Sequence, residues 1–183
     1  LDTYKFIEKY KRISIIGMEK NVGKTTLLNK LIADIRKNKK LGLTSIGRDG
    51  EDIDVVTNTD KPRIYVRKGS IIATGRNCLA KCDITKEILY VTDFTTPMGS
   101  IVLIRALSDG YVDIAGPSYN KQVKIVVELM EKFGSEISIV DGALGRKSTA
   151  ISDVSEATIL STGAALSLDM LKVVEETQKT VYF

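Results

Sequence analysis

The chain has 183 residues, and its composition, 43% hydrophobic and 27% charged, is that of one globular domain. It contains no apolar run as long as a membrane span. The net charge is +4, and the modest basic group within residues 30–40 lies on and after the first predicted helix, where cations favour the helix dipole. We therefore expect neither a membrane nor a nucleic acid as a partner.

The chain contains two cysteines, Cys78 and Cys82, and no histidine. This set cannot make a four-ligand zinc site, and it favours a reducing, cytoplasmic location. Without histidine the commonest general base is missing, together with the serine and cysteine triads that depend on it. We therefore expect any chemistry to depend on phosphates, magnesium, lysine, arginine and carboxylates.

After a packed arm at residues 2–11, residues 13–35 predict a strand, a glycine-containing loop and a helix. The β-branched run from Ile13 to Ile16 suits a buried parallel strand. The helix has its apolar residues on one face: Leu27, Leu28, Leu31, Ile32 and Ile35. It is expected to end by Lys40, with Gly42 as its cap.

Between strand and helix the sequence has the pattern of the end of a Walker A loop. The predicted nucleotide-binding residues are Asn21, Val22, Gly23, Lys24, Thr25 and Thr26. Lys24, expected as an exposed loop cation in the empty protein, would reach the terminal phosphates, and Thr25 would be a ligand of phosphate-bound Mg²⁺. The pattern departs from the usual one because Gly17 is one residue too early and Met18 stands at the usual glycine position. The alternative interpretation is an ordinary strand, turn and helix.

A second strand is predicted over residues 43–46, which makes a βαβ unit whose strand ends gather on one side of the sheet. Asp49 follows that strand, and we predict it as a catalytic residue and magnesium ligand, with Arg48 as a phosphate contact. A polar turn rich in Asp and Gly is the alternative for this segment.

Short β-type runs without helical periodicity recur from residue 53 to 115, which predicts a β-rich insertion or an extension of the sheet. The turn residues at 108–110 predict a hairpin between the strands at 101–107 and 111–115. Asp93 follows the run at 88–92, and we weigh a place near the site against a simple turn.

A helix with apolar residues at 3.6-residue spacing is predicted from a cap at Ser118 to Gly134. The strand 137–140 then ends at Asp141, the pattern of a Walker B strand whose carboxylate holds a magnesium-bound water. A buried strand ending in an Asp turn is the alternative. Arg146 and Lys147 lie in the loop that follows, where they could sense phosphate or simply be solvated.

A last strand at 157–162 and a helix at 168–177 complete the pattern. The predicted fold is α/β: a P-loop NTPase-like, doubly wound, mainly parallel sheet in a single domain over 1–183, with the β-rich insertion at about 53–115. The chain begins with Leu1 and ends in a strand-like segment at 180–183, so we expect it to be part of a longer protein.

Four segments together resemble the P-loop subunit of the lysine 5,6-aminomutase reactivases: Gly17–Thr25, Asp54–Pro62, Ala106–Pro117 and Val140–Ser148. The resemblance spans nearly the whole chain, and the family's functional residues carry over at Lys24, Thr25 and Asp141. It implies an ATP-dependent factor that restores an adenosylcobalamin-dependent aminomutase of lysine fermentation by helping it to exchange damaged cobalamin. The partners implied are that aminomutase and a second reactivase subunit.

The residues alone predict a domain that binds ATP and Mg²⁺, with Lys24, Asp49 and Asp141 as catalytic residues and Thr25, Asp49 and Asp141 as metal ligands. No guanine signature follows the strand that ends at Asp141, which favours ATP over GTP. Two other classes stay open: a small-molecule kinase or ATP-dependent ligase of the dethiobiotin synthetase type, and a nucleotide-switched scaffold.

Overall fold

The structure is a computed structural model that describes residues 4–35, 39–46, 63–142 and 154–181. Its elements are α1 (Tyr4–Ile7), β1 (Arg12–Gly17), α2 (Lys24–Asp34), β2 (Leu41–Ser45), β3 (Ile64–Val66), β4 (Ile71–Gly75), a 3₁₀-helix (Arg76–Lys81), β5 (Lys86–Thr96), β6 (Gly99–Ala106), β7 (Gly110–Val112), α3 (Asn120–Lys132), β8 (Ile137–Asp141), β9 (Ala157–Ser161) and α4 (Met170–Val181).

Within the described residues, seven strands form one mixed sheet in the order β5-β6-β4-β2-β8-β1-β9. In this spatial order, the five strands β4, β2, β8, β1 and β9 are all parallel to their neighbours. The strand β6 is antiparallel to both β4 and β5. The strands β1 and β2 are not neighbours, because β8 lies between them. The chain is therefore an α/β protein with a mostly parallel sheet, and residues 71–106 extend that sheet at one end.

Helices cover both faces of the sheet. Adjacent residues of a strand point to opposite faces, and the neighbours Ile71 and Ile72 belong to two different apolar clusters. The cluster of Ile72 includes Leu28 and Leu31 of α2, and the cluster of Ile71 includes Val126 of α3. The sheet centre is consequently buried between two helical layers, as the β-branched run in β1 predicted.

The predicted hairpin turn at 108–110 does not join two neighbouring strands. The run 101–107 does not form a hairpin with 111–115, because β6 pairs with β4 and β5 while β7 pairs with β3 in a separate two-stranded sheet. The tight turn that joins neighbouring strands is instead the one between β5 and β6, where the Thr96 hydroxyl donates to the Gly99 carbonyl over 2.9 Å.

Helix ends also differ in detail. The helix α2 ends at Asp34, and Gly42 lies inside β2, where an added Cβ would come within 2.7 Å of the Ser138 hydroxyl. Gly42 therefore allows a close approach between strands rather than a helix cap. The N-cap residue of α3 is Tyr119 rather than the predicted Ser118, whereas Gly134 follows that helix with a φ of 104° as expected.

Candidate functional site

The loop between β1 and α2 has a backbone shape suited to anions. Asn21 and Gly23 adopt φ values of 62° and 82°, and the residues between and beside them do not, so positive and negative φ angles alternate along the loop. Such alternation turns successive backbone N–H groups toward one concave side. Glycine and asparagine are the residues that accept the left-handed conformation most readily.

The N-terminus of α2 adds to this attraction. No side chain of the described residues caps α2, and its first turn, starting at Lys24, contains no acidic residue. The first N–H groups of a helix have no partner within the helix, and its dipole places about half a positive charge there. The loop and the helix end together can therefore hold an anion such as a phosphate.

The one-residue departure from the usual loop spacing has a structural explanation. Gly17 is the last ladder partner of β9, and the Met18 N–H continues that ladder by donating to the Ser161 carbonyl over 3.0 Å. The loop therefore turns away only after Met18, whose φ is not positive, so this position does not require glycine. Gly17 itself is closely covered, since a Cβ there would lie 3.0 Å from Val22 Cγ2.

Asp141 lies beside this loop because β8 is the neighbour of β1. Asp141 is in register with Ile15 of β1 on one side and with Ser45 of β2 on the other, and Gly142 donates its N–H to the Ile15 carbonyl over 2.9 Å. The end of β8 is thus held at the same edge of the sheet as the start of the loop.

The Lys24 ammonium contacts the end of β8 directly. Its Nζ lies 2.7 Å from Oδ1 of Asp141 and donates a hydrogen bond of 2.9 Å to the Gly142 carbonyl. The two charged side chains are 26% and 18% exposed, so the prediction that Lys24 is an exposed loop cation is wrong. Oδ1 of Asp141 is shielded from solvent, and the contact with Lys24 lacks hydrogen-bond geometry, so this oxygen accepts no hydrogen bond within the described residues.

Asp141 and Thr25 fit the requirements of a magnesium ion held mainly by a bound phosphate. Mg²⁺ takes one or two protein oxygens and completes its shell with water and phosphate oxygens. Oδ1 of Asp141 is shielded, accepts no hydrogen bond and faces the Lys24 ammonium, so a metal ion would take the place of one cation beside it. The half-buried Thr25 stands directly after Lys24 at the start of α2. Within the described residues, no group of three acidic or cysteine side chains offers an alternative metal site.

Two residues of the site were not predicted from the sequence. The buried Ser161 hydroxyl at the end of β9 donates a hydrogen bond of 2.7 Å to the Val22 carbonyl and so connects β9 to the loop. Thr177 of α4 donates its hydroxyl proton to the Val173 carbonyl over 2.7 Å, and its hydroxyl oxygen lies 3.4 Å from Met18 Sδ, at the edge of the site. Ser161 ends a strand of the parallel sheet, and that position was the signal that could have placed it here.

Other predicted residues lie elsewhere. Asp93 is exposed on β5, at the opposite edge of the sheet from β9 and four strands from β8, so it does not belong to the site. Asp49 and Arg48, and likewise Arg146 and Lys147, lie outside the described residues. The site that the structure brings together consists of the loop 17–24, Thr25, Asp141, Gly142 and Ser161.

No protein family model, curated protein or solved structure matches this chain. Its function is therefore inferred from the geometry of the site and from the sequence. In the described part of the chain, no helix is long and apolar enough to span a membrane.

Proposed function

We propose that this chain is a P-loop NTPase-like domain that binds ATP with Mg²⁺. The observation that carries the proposal is the position of Lys24 beside Asp141, a cation at an uncapped helix N-terminus and an acid on the neighbouring parallel strand. Lys24 would contact the terminal phosphates, and the N–H groups of Asn21 to Thr26 would surround them.

The magnesium ion would be held by Asp141, Thr25 and phosphate oxygens. Asp49, the other ligand expected from the sequence, lies outside the described residues. A bound Mg²⁺ supplies charge stabilisation at the phosphoryl group that is attacked. The chain's own contribution is to fix the phosphates at the loop and to keep the carboxylate of Asp141 at the edge of β8.

The partner in this proposal is an adenosylcobalamin-dependent aminomutase, which the chain would reactivate at the expense of ATP. The four segments that resemble the reactivase subunit support this role. Arg12 pairs with Glu131, and Arg67 donates to the carbonyl groups of Ala33 and Ile35, so these two arginines are engaged elsewhere. Arg48 and Arg146 lie outside the described residues. We expect slow hydrolysis by the chain alone, because binding of the partner would be needed to bring an arginine to the phosphates.

The test is phosphate release from ATP by the protein alone, with intact aminomutase, and with aminomutase that carries inactivated cobalamin. Stimulation only by the inactivated form supports the reactivase role, and Lys24→Ala must abolish that stimulation. Equal rates in all three mixtures would contradict it.

Fast phosphorylation of a small metabolite would assign the chain to the kinase or ligase class. Nucleotide binding without turnover in any of the mixtures would assign it to the scaffold class. Competition between ATP and GTP checks the choice of base.

A further inference from the structure

The cation expected to bind phosphate and the acid expected to bind metal are paired with each other. Lys24 Nζ lies 2.7 Å from Asp141 Oδ1, and the Gly142 carbonyl accepts a hydrogen bond from the same ammonium. Both side chains are mostly shielded from water, so this contact is less screened than an ion pair on the open surface. Each charge therefore has its partner within the protein itself.

A phosphate alone meets an obstacle at such a site. To bind Lys24 it must draw the ammonium away from Asp141, and this leaves a shielded carboxylate without a counter-charge next to an incoming anion. A divalent metal alone meets the opposite obstacle, because Asp141 can bind it only beside the cationic Lys24. Separating a shielded pair and leaving one charge unpaired is unfavourable.

A metal–phosphate complex avoids both obstacles. The phosphate becomes the new partner of Lys24 while the metal becomes the new partner of Asp141, so that no charge is left alone. Because the coupling between two ligands is reciprocal, the metal raises the affinity for phosphate by the same factor as the phosphate raises the affinity for metal.

We propose that the Lys24–Asp141 ion pair is a latch that disfavours metal-free nucleotide at this site and opens for the magnesium complex. The inference rests on the proposed nucleotide site and adds its regulation: free nucleotide competes with Asp141 for Lys24. Neutralising Asp141 consequently releases Lys24, and metal-free ATP then binds more tightly than to the unaltered protein.

The experiment is calorimetric titration of the whole protein with three ligands: ATP in the presence of a metal chelator, Mg-ATP, and magnesium chloride alone. The variants are Asp141→Asn, which keeps the shape of the side chain, and the control Asp93→Asn, which removes the same charge from an exposed position on β5. Thermal unfolding of each variant reports whether it is folded.

For the unaltered protein and for Asp93→Asn, we expect Mg-ATP to bind at least about tenfold more tightly than metal-free ATP, a difference of about 1.4 kcal/mol. Magnesium chloride alone is expected to give no binding heat. In Asp141→Asn, metal-free ATP is expected to bind about tenfold more tightly than it does to the unaltered protein, and the advantage of Mg-ATP is expected to disappear.

If folded Asp141→Asn binds metal-free ATP no more tightly than the unaltered protein does, the latch is overturned. The proposed function still stands in that case, provided that the unaltered protein binds Mg-ATP. If Asp141→Asn does not fold, the unaltered protein decides by itself: equal affinities for ATP and Mg-ATP overturn the latch. If no form of ATP binds to any folded variant, the proposed function fails, and the latch fails with it.

Discussion

At the scale of single residues, Lys24 pairs with Asp141 and is also the cation that we propose as a phosphate contact. The Lys24→Ala change removes the cation that would contact phosphate and leaves Asp141 without its counter-charge. We expect the affinity for Mg-ATP to fall by about 1.5–3 kcal/mol, the usual value of a charge-assisted hydrogen bond. The free energy of unfolding should also fall, by about 1 kcal/mol, because the pair is partly exposed.

Calorimetry and chemical denaturation measure the two effects of Lys24→Ala. The matched control is Lys30→Ala, which removes an exposed cation that pairs with Asp34 on the same helix and should leave binding unchanged. In the double variant Lys24→Ala, Asp141→Asn, stability should recover, since no unpaired charge remains. A single variant that binds Mg-ATP as tightly as the parent protein would contradict the role of Lys24.

Cys82 illustrates how burial alone controls a residue's chemistry. Burial raises the pKa of its thiol, and the S–H group donates to the Cys78 carbonyl over 3.3 Å. The folded protein thus holds this proton more tightly than the unfolded chain does. The stabilisation is present at neutral pH and is lost as the pH rises through the raised pKa. We expect iodoacetamide to modify Cys82 slowly in the folded protein and quickly in denaturant, as mass spectrometry would show; equal rates would refute this.

At the scale of elements, strand β9 contacts the candidate loop through hydrogen bonds of Ser161. Ser161→Ala removes the buried hydroxyl that donates to the Val22 carbonyl and leaves this acceptor without that partner. We expect a loss of about 1–3 kcal/mol in the free energy of unfolding, together with weaker Mg-ATP binding, because the loop loses a contact that fixes its shape.

Urea denaturation and calorimetry test the Ser161→Ala change. The control is Thr158→Ala, at an exposed position on the same strand β9. Its effect on Mg-ATP binding should be small, because Thr158 is distant from the strand's loop end. If Ser161→Ala and Thr158→Ala lower the affinity equally, β9 does not hold the loop through this hydroxyl.

At the scale of the whole molecule, the segment 113–117 crosses the ends of β2 and β4 and ties the sheet extension to the site edge. The Gly116 N–H donates to the Ser45 hydroxyl over 2.9 Å, and the Ala115 N–H donates to the Thr74 hydroxyl over 2.9 Å. Gly116 approaches β2 so closely that an added Cβ would overlap the Ser45 carbonyl oxygen. Ser45 in turn lies next to Asp141 in the sheet.

Gly116→Ala is therefore expected to destabilise the protein by about 1–3 kcal/mol or more, since the backbone of one of the two segments must move. Gly163→Ala is the control, because a Cβ at Gly163 meets no described atom within 4 Å. Thermal unfolding of the two variants compares them. A melting temperature for Gly116→Ala as high as that of Gly163→Ala would show that the crossing segment can shift without cost.

The local features of this chain could be predicted from the sequence, because they depend on neighbours in the chain. The β-branched run in β1, the one-sided apolar face of α2 and the 3.6-residue spacing in α3 each indicated a buried strand or a helix on a sheet. The loop pattern likewise identified Gly23 and Lys24 as a candidate anion site. An α/β protein with a mostly parallel sheet follows from these patterns alone.

Only the tertiary structure decided which strands are neighbours. The four central strands β1, β2, β4 and β8 are almost completely buried, so their local apolar patterns do not determine their order. The placement of β8 between β1 and β2 brings Asp141 to Lys24, and the placement of β9 brings Ser161 to Val22. Asp93 has a similar sequence pattern, an acid after an apolar run, but it lies at the sheet edge opposite β9. Its strand β5 pairs with β6 and not with the parallel strands. Contacts between residues more than a hundred positions apart depend on the order of strands, which is a property of the whole sheet.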